Sequence, residues 1–221
     1  MDDKRLIEEG LGGRLEPGSA EFERFVDITA RRPSGTAGAG HYRDPKEHEA
    51  SFAAALAALK LTPEDRYLEL CFGGGQMLQR ALETVVSGAG IDHSPDMLAL
   101  AGKLNADAVA AGRLELAQGD VHRLPWPDGE FTVAACVNAF FFIERPADFL
   151  AEARRVLARE GRFVLITAVR EASWNGPWAP ALKTYEADEL RAMLLAAGFG
   201  EATVDESSGQ QVATARAAQP G

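Results

Sequence analysis

Glu69 sits directly ahead of a glycine turn, Cys71-Phe72-Gly73-Gly74-Gly75, and a helix-compatible run from Gln76 to Val86 follows at once. A strand, a glycine turn and a helix in succession bring backbone N–H groups and a helix N-terminus to the end of a parallel strand, where nucleotide-like ligands bind. The spacing is not that of the dinucleotide fingerprint G-x-G-x-x-G, whose third glycine falls here on Leu78. A carboxylate beside a pyrophosphate repels it, whereas beside a positive amino group it is an anchor. The ligand suggested is nucleoside-like, cationic and without phosphate.

Two more acids follow at strand ends. Asp92 closes the next strand-like run, at the interval where nucleotide-binding sheets place an acid on ribose hydroxyls. Gln118-Gly119-Asp120-Val121 ends the third, where an aspartate can accept from an exocyclic amine while the next backbone N–H meets a ring nitrogen. Asp120 could equally be an ordinary loop start. Val137-Asn138-Ala139-Phe140 ends the fourth strand, again at the carboxyl edge.

The elements that must position these residues alternate. Strand-like pieces run over Arg66–Cys71, Ala89–Asp92, Leu114–Gln118, Phe131–Asn138, Arg162–Ala168, Ala202–Glu206 and Gln211–Ala215. Helix-like pieces are Gln76–Val86, Pro95–Ala111, Pro146–Ala158 and Ala187–Ala197, with Pro95 and Pro146 suited to first turns and Gly161 and Gly198 to left-handed caps. The alternation predicts an α/β, doubly wound, mostly parallel sheet with helices on both faces. The short link Ser207–Gln210 demands a hairpin and places one antiparallel strand at the sheet edge. Residues 1–44 form a helical N-terminal lid segment, with Ser19 as N-cap of Ala20–Arg31 and a glycine-rich loop after Arg32; residues 45–221 form the ligand-binding domain.

Bulk properties narrow the partners. A chain of 221 residues suits one full core, and 46% apolar content with no bilayer-length apolar run argues against membrane insertion. The formal net charge is −10 and no Lys/Arg stripe is present, which disfavours nucleic acid and favours a small-molecule substrate. Two cysteines in strand-like segments and a polar N-terminus point to the cytoplasm, and the four scattered histidines offer no metal spacing.

Glu69–Gly75, Gly90–Leu98, Gly119–Phe131 and Arg154–Phe163 together resemble the class I S-adenosylmethionine-dependent methyltransferases, over roughly residues 45 to 217. The likeness is closest to the small-molecule branch that includes the quinone-biosynthesis C-methyltransferases. It implies a Rossmann-like, seven-stranded sheet with an antiparallel seventh strand, and S-adenosylmethionine as cofactor. Glu69 would then hold the methionine amino group, Gly73 and Gly75 would let the backbone approach, and Asp92 would hold the ribose. His93 and Met97 would flank the adenine, and Asp120 with Val121 would read its edge. Cys71 stands where the family has its first glycine, and is strained there if the backbone needs positive φ.

Methyl transfer from a sulfonium needs an aligned acceptor, and a base where the acceptor must lose a proton. His41 and Tyr42, with Arg43, Asp44 and His48 nearby, are the catalytic candidates, and His122 reads as an exposed loop residue. Phe140-Phe141-Phe142-Ile143 with Trp174 and Trp178 could line an apolar acceptor pocket. The expected activity is methyl transfer to a small, partly apolar or aromatic metabolite. The alternatives are a non-methylating relative that keeps the cofactor site and, disfavoured by Glu69, a nucleotide-dependent oxidoreductase.

Overall fold

Along Tyr67-Leu68-Glu69-Leu70 the side chains alternate between two buried faces, and this period of two sets the layout of the whole molecule. The computed structural model describes residues 2–35, 40, 42, 45–169, 176–207 and 209–218. Its strands are β1 (Arg66–Leu70), β2 (Ser87–Asp92), β3 (Leu114–Gln118), β4 (Phe131–Val137), β5 (Leu157–Ala168), β6 (Phe199–Ser207) and β7 (Gln210–Ala217). They form one sheet in the order β3-β2-β1-β4-β5-β7-β6. β1 to β5 pair in parallel, and β7 is antiparallel to both β5 and β6.

The expected antiparallel strand is present, but it is not at the edge. β7 lies inside the sheet between β5 and β6, leaving β6 outermost. Composition explains the choice. β7 buries Ala213, Ala215 and Ala217, whereas β6 exposes Glu201, Asp205 and Glu206, charges that protect an open edge from further pairing.

The helices are α1 (Asp3–Leu11), α2 (Ala20–Val26), α3 (Glu49–Leu59), α4 (Gln76–Ala81), α5 (Pro95–Leu104), α6 (Ala106–Ala110), α7 (Pro146–Val156) and α8 (Ala187–Ala196). A π-helical turn, Asp27–Arg31, prolongs α2, and a 3-10 turn, Pro45–His48, leads into α3. Residues of α3, α4 and α5 pack with Tyr67, Val133 and Ile166 on one face of the sheet. Residues of α7 and α8 pack with Leu68, Leu70 and Phe163 on the other.

Ser19 caps α2 as its sequence suggests, accepting the Phe22 N–H at 3.1 Å. Gly198 takes the left-handed position after α8, at φ +94°. Three boundaries differ from expectation. α4 stops at Ala81 instead of Val86. The run from Pro95 to Ala111 breaks at Asn105, whose side-chain amide donates to the carbonyls of Ala101 and Gly75 and so competes with the helix ladder. α7 ends at Val156 and runs directly into β5, so the left-handed residue there is Glu160 (φ +59°) and not Gly161.

The N-terminal helices bury Leu6, Phe22, Phe25 and Val26 in a separate cluster with Phe142, Trp178 and Ala181. Among the described residues no helix is long and apolar enough to cross a membrane.

Candidate functional site

Sheet order reverses between β1 and β4, and outside the carboxyl ends of these strands lies a cavity of about 640 Å³. Glu69, Cys71, Gly73, Asp92, Asp120 and Asn138 all line it. The turn that follows β1 places Cys71 (φ +61°), Gly73 (φ +53°) and Gly75 (φ +80°) in left-handed conformations. Cys71 therefore holds a backbone conformation that suits glycine, at a cost of about 1–2 kcal/mol. Its thiol is half-buried and in hydrogen-bond contact with Cys136, which together with burial pushes its titration well up.

The glycines answer to two different neighbours. A Cβ on Gly73 would come within 2.9 Å of the Tyr42 ring, and one on Gly74 would strike the Tyr42 carbonyl oxygen, which already accepts from Gln76 Nε2. Gly75 lies outside the cavity lining; a Cβ there would meet Ala101 of α5 at 2.7 Å. Gly75 thus serves close helix packing against α5.

Glu69 is 3% exposed, on the sheet face covered by α3, α4 and α5, and its Oε2 has no hydrogen-bond partner. Burial, the adjacent Cys136 thiol and the Asp92 carboxylate push its carboxyl well above the usual range, opposed by a bond from the Leu78 N–H in the first turn of α4. A buried carboxyl with an unpaired oxygen is costly unless a donor arrives, and a cationic amino group is such a donor.

Asp92 is buried and accepts the N–H of Gly73 at Oδ2 and of Ser94 at Oδ1, both at 2.9 Å. Burial raises its pKa against these two bonds. Each oxygen keeps a lone pair for a ligand hydroxyl. His93, exposed, and Met97, fully buried, line the cavity beside it, as does buried Val121. Asp120 is exposed, and its Oδ1 takes the backbone N–H of His122 at 2.9 Å and the His122 ring at 2.5 Å, the first of which contributes most to holding its carboxyl below the usual range. His122, expected as an exposed loop residue, is half-buried because this pairing folds its ring inward.

The N-terminal helical segment meets the same cavity. The π-turn contributes Asp27, Ala30 and Arg31 to its wall. Ser94 Oγ donates to the Pro33 carbonyl at 2.6 Å, and the Gly35 N–H donates to Asp96 Oδ2 at 2.7 Å, fixing the N-terminal segment to the start of α5. Sequence reasoning placed Pro95 at a first helical turn but gave Ser94 no role, so these contacts were missed. Tyr42 lines the cavity, its hydroxyl donating to the Ala30 carbonyl at 3.3 Å. Burial, then Asp92 and Cys71, push its titration well up. His48 lines it too, with Nδ1 3.0 Å from the Asn138 amide nitrogen.

Two aromatic candidates sit elsewhere. Phe140 is fully buried in the core against Phe149 and Tyr185, and Phe142 takes the cavity wall in its place. The 3-10 turn Phe140–Phe142 rotates successive side chains apart, which explains the exchange. Trp178 stacks on Phe25 at 6.0 Å and donates Nε1–H to Thr29 Oγ1 at 2.8 Å, so it fastens the N-terminal helices and is absent from the cavity lining. His41 and Trp174 lie outside the described residues.

The residues present fit a nucleoside carrying an amino acid: an unpaired buried carboxyl oxygen for an ammonium, a carboxylate at the second strand end for a ribose, and a glycine turn open only without Cβ atoms. The sheet order belongs to a fold shared with a SAM-dependent methyltransferase of Thermotoga maritima (TM-score 0.65, 21% identity, 89% of this chain and 98% of that one). Residues 68–165 match the family described as a methyltransferase domain, and the chain is similar to quinone-biosynthesis methyltransferases.

It is 35% identical over 118 residues to the demethylmenaquinone methyltransferase of Deinococcus radiodurans, covering 52% of this chain and 47% of that protein. Matches to the curated relatives span 32–49% of their lengths. The fold is shared with a methyltransferase solved in complex with the Trm112 activator of Haloferax volcanii (TM-score 0.73, 19% identity, 87% of this chain and 99% of that one). It is shared also with the [4+2]-cyclase SpnF (TM-score 0.69, 17% identity, 98% and 93%).

Proposed function

We propose that this protein transfers a methyl group from S-adenosylmethionine to a small, partly apolar or aromatic acceptor by in-line displacement. The observation that carries the reading is Glu69, a buried carboxyl that lines the cavity and has an unpaired oxygen, one strand from Asp92. When bound, the cofactor supplies a methyl group already activated on a sulfonium. The chain's own task is then to bind, orient and exclude water. Glu69 takes the ammonium, Asp92 the ribose hydroxyls, and Asp120 and Val121 the adenine edge between His93 and Met97. Holding two reactants in line can contribute about 7–11 kcal/mol to the barrier reduction.

Val137, Ala139, Phe142 and Ile143 offer the acceptor an apolar wall. The relative named for demethylmenaquinone supports a quinone-like acceptor, and the cavity volume suits a compact one. The N-terminal segment acts as a lid, and a small-molecule substrate in the cytoplasm fits the acidic surface.

Calorimetric titration with S-adenosylhomocysteine and, separately, NAD(P)H tests the cofactor. Binding of the nicotinamide alone would end this reading. A gain of one methyl in a metabolite pool, read by mass spectrometry, tests the transfer. A second reading, a relative that binds the cofactor without methylating, draws on Cys71 in the strained glycine position and predicts binding with no methyl gain.

A further inference from the structure

His48 stands at the end of the 3-10 turn before α3, on the same sheet face as Glu69. Its ring lies between Tyr42 (centroids 6.5 Å apart) and Phe52 (5.9 Å), which restrict its rotation. Its Nδ1 is 3.0 Å from the side-chain amide of Asn138. Asn138 is itself held firmly: it sits just beyond β4 at φ +56°, a conformation asparagine tolerates better than most residues, and its N–H donates to the Ile166 carbonyl at 3.0 Å. β4 is the strand next to β1 across the switch point, so this polar pair neighbours Cys71 and the methionine end of the cofactor site. Around it the wall is apolar, formed by Val137, Ala139, Phe142 and Ile143. A fixed polar pair on an apolar wall orients a ligand's reacting group.

Among the described residues, several other titratable groups that line the cavity are engaged elsewhere, and exposed His93 stands beside Asp92 at the end of β2. Glu69 and Asp92 face the cofactor end, and His122 is tied to Asp120. Asp27 pairs with Arg31 at 3.1 Å on the lid. Tyr42 donates its hydroxyl to Ala30 and burial raises its titration, while the hydrogen bond with Cys136 and then burial raise that of the Cys71 thiol, which makes each a poor proton acceptor. Imidazole is the side chain suited to taking a proton near neutral pH.

Resting on the methyl-transfer reading above, we infer that His48 is the group that takes the acceptor's proton and that Asn138 is its positioning residue. The acceptor's O–H or N–H proton passes to the imidazole. The electron pair so released makes the acceptor nucleophilic, and a pair on the acceptor forms the new bond to the methyl carbon. The carbon–sulfur bond breaks with its pair remaining on sulfur, which cancels the sulfonium charge; the imidazolium then returns its proton to water. For the ring to take a proton at Nε2, Nδ1 must already carry one, so the amide of Asn138 must turn its oxygen to Nδ1, an orientation isosteric with the one that presents its nitrogen; Nδ1–H then donates to that oxygen in both the neutral and the charged ring.

The test uses the full chain loaded with S-adenosylhomocysteine and two probes of nearly equal shape, 1-naphthol and 1-methoxynaphthalene. Proton NMR follows the four histidine C2–H lines, the His48 line being the one lost in His48→Gln. Addition of 1-naphthol should move the His48 line, and 1-methoxynaphthalene should leave it in place. His48→Gln should weaken 1-naphthol about tenfold without changing the affinity for 1-methoxynaphthalene or S-adenosylhomocysteine; retained affinity for the latter also shows that the variant folds. In Asn138→Asp the added charge should raise the His48 titration midpoint, and in Asn138→Ala the response to 1-naphthol should fade. Equal responses to both probes, movement of another histidine, or no binding of 1-naphthol would each overturn the inference while leaving the cofactor reading intact. Failure of S-adenosylhomocysteine to bind the wild-type protein would overturn the methyl-transfer reading itself.

Discussion

The backbone N–H of Gly73 donates to Oδ2 of Asp92 at 2.9 Å, so the carboxylate proposed to hold a ribose also shapes the glycine turn. Its other oxygen holds the N–H of Ser94, the N-cap of α5. One residue thus ties together both the glycine turn and the start of α5 before any ligand arrives.

Asp92→Ala should therefore do more than weaken ligand binding. It leaves two backbone donors without their acceptor, at about 1–3 kcal/mol for each one that water cannot reach. Urea unfolding should show the loss in the absence of ligand, and Asp92→Asn, which keeps one acceptor oxygen, should lose less. Equal stability of Asp92→Ala and wild type would mean that the turn holds itself.

Glu69→Gln should behave in the opposite way. The Glu69 carboxyl titrates above its ordinary range when folded, so the folded state binds that proton more tightly than the unfolded one. Its stabilising contribution is complete below the unfolded value, about 4.3 for glutamate, and is lost as pH rises through the raised folded value. Above that window glutamine should equal or exceed glutamate in stability, and the difference between the two proteins should shrink on acidification. Binding of an ammonium-bearing ligand favours the ionised carboxylate, so affinity for S-adenosylhomocysteine should rise with pH across the same window. The wild type should release protons on binding, measurable by calorimetry in buffers of different ionisation enthalpy. The variant should release none and bind about 1.5–3 kcal/mol more weakly.

Cys71→Gly should stabilise the protein by about 1 kcal/mol, since glycine relieves the left-handed strain, with part of the gain offset by its freedom when unfolded. For a chain of this size that is a rise of about 2–4 °C in melting temperature. A lower melting temperature would show that the contact with Cys136 outweighs the strain.

Gly74→Ala should displace the lid, because its Cβ would strike the Tyr42 carbonyl. Amide exchange over residues 20–35 should then quicken about tenfold, a change of about 1.4 kcal/mol in local opening. Unchanged exchange would show that Tyr42 does not couple turn and lid.

Much of this architecture is written locally. Period-two burial from Tyr67 to Leu70, Pro95 and Pro146 at first helical turns, and Ser19 at its cap each act over a few residues, so the strands and most helix starts are readable from the chain. The acids at strand ends are readable for the same reason, since alternation alone carries Glu69 and Asp92 to one face. What was not readable depends on partners distant in sequence. The break at Asn105 needs the Gly75 carbonyl thirty residues away. Trp178 is drawn to Thr29 and Phe25 of the lid, across most of the chain. Nothing in Phe140-Phe141-Phe142 tells which ring turns inward; the 3-10 geometry decides it.

The interior position of β7 has a consequence for how the chain must assemble. Until β7 is made, β5 presents Phe163 to Ile166 along an open, apolar edge, and β6 has no strand to join. During synthesis the sheet therefore waits, half-finished, for the residues that close it, and the β6–β7 hairpin must dock as a unit. A nascent chain stopped after Ser207 would carry a sticky edge beside an already formed cofactor cleft, and would be a target for chaperones before it could be a catalyst.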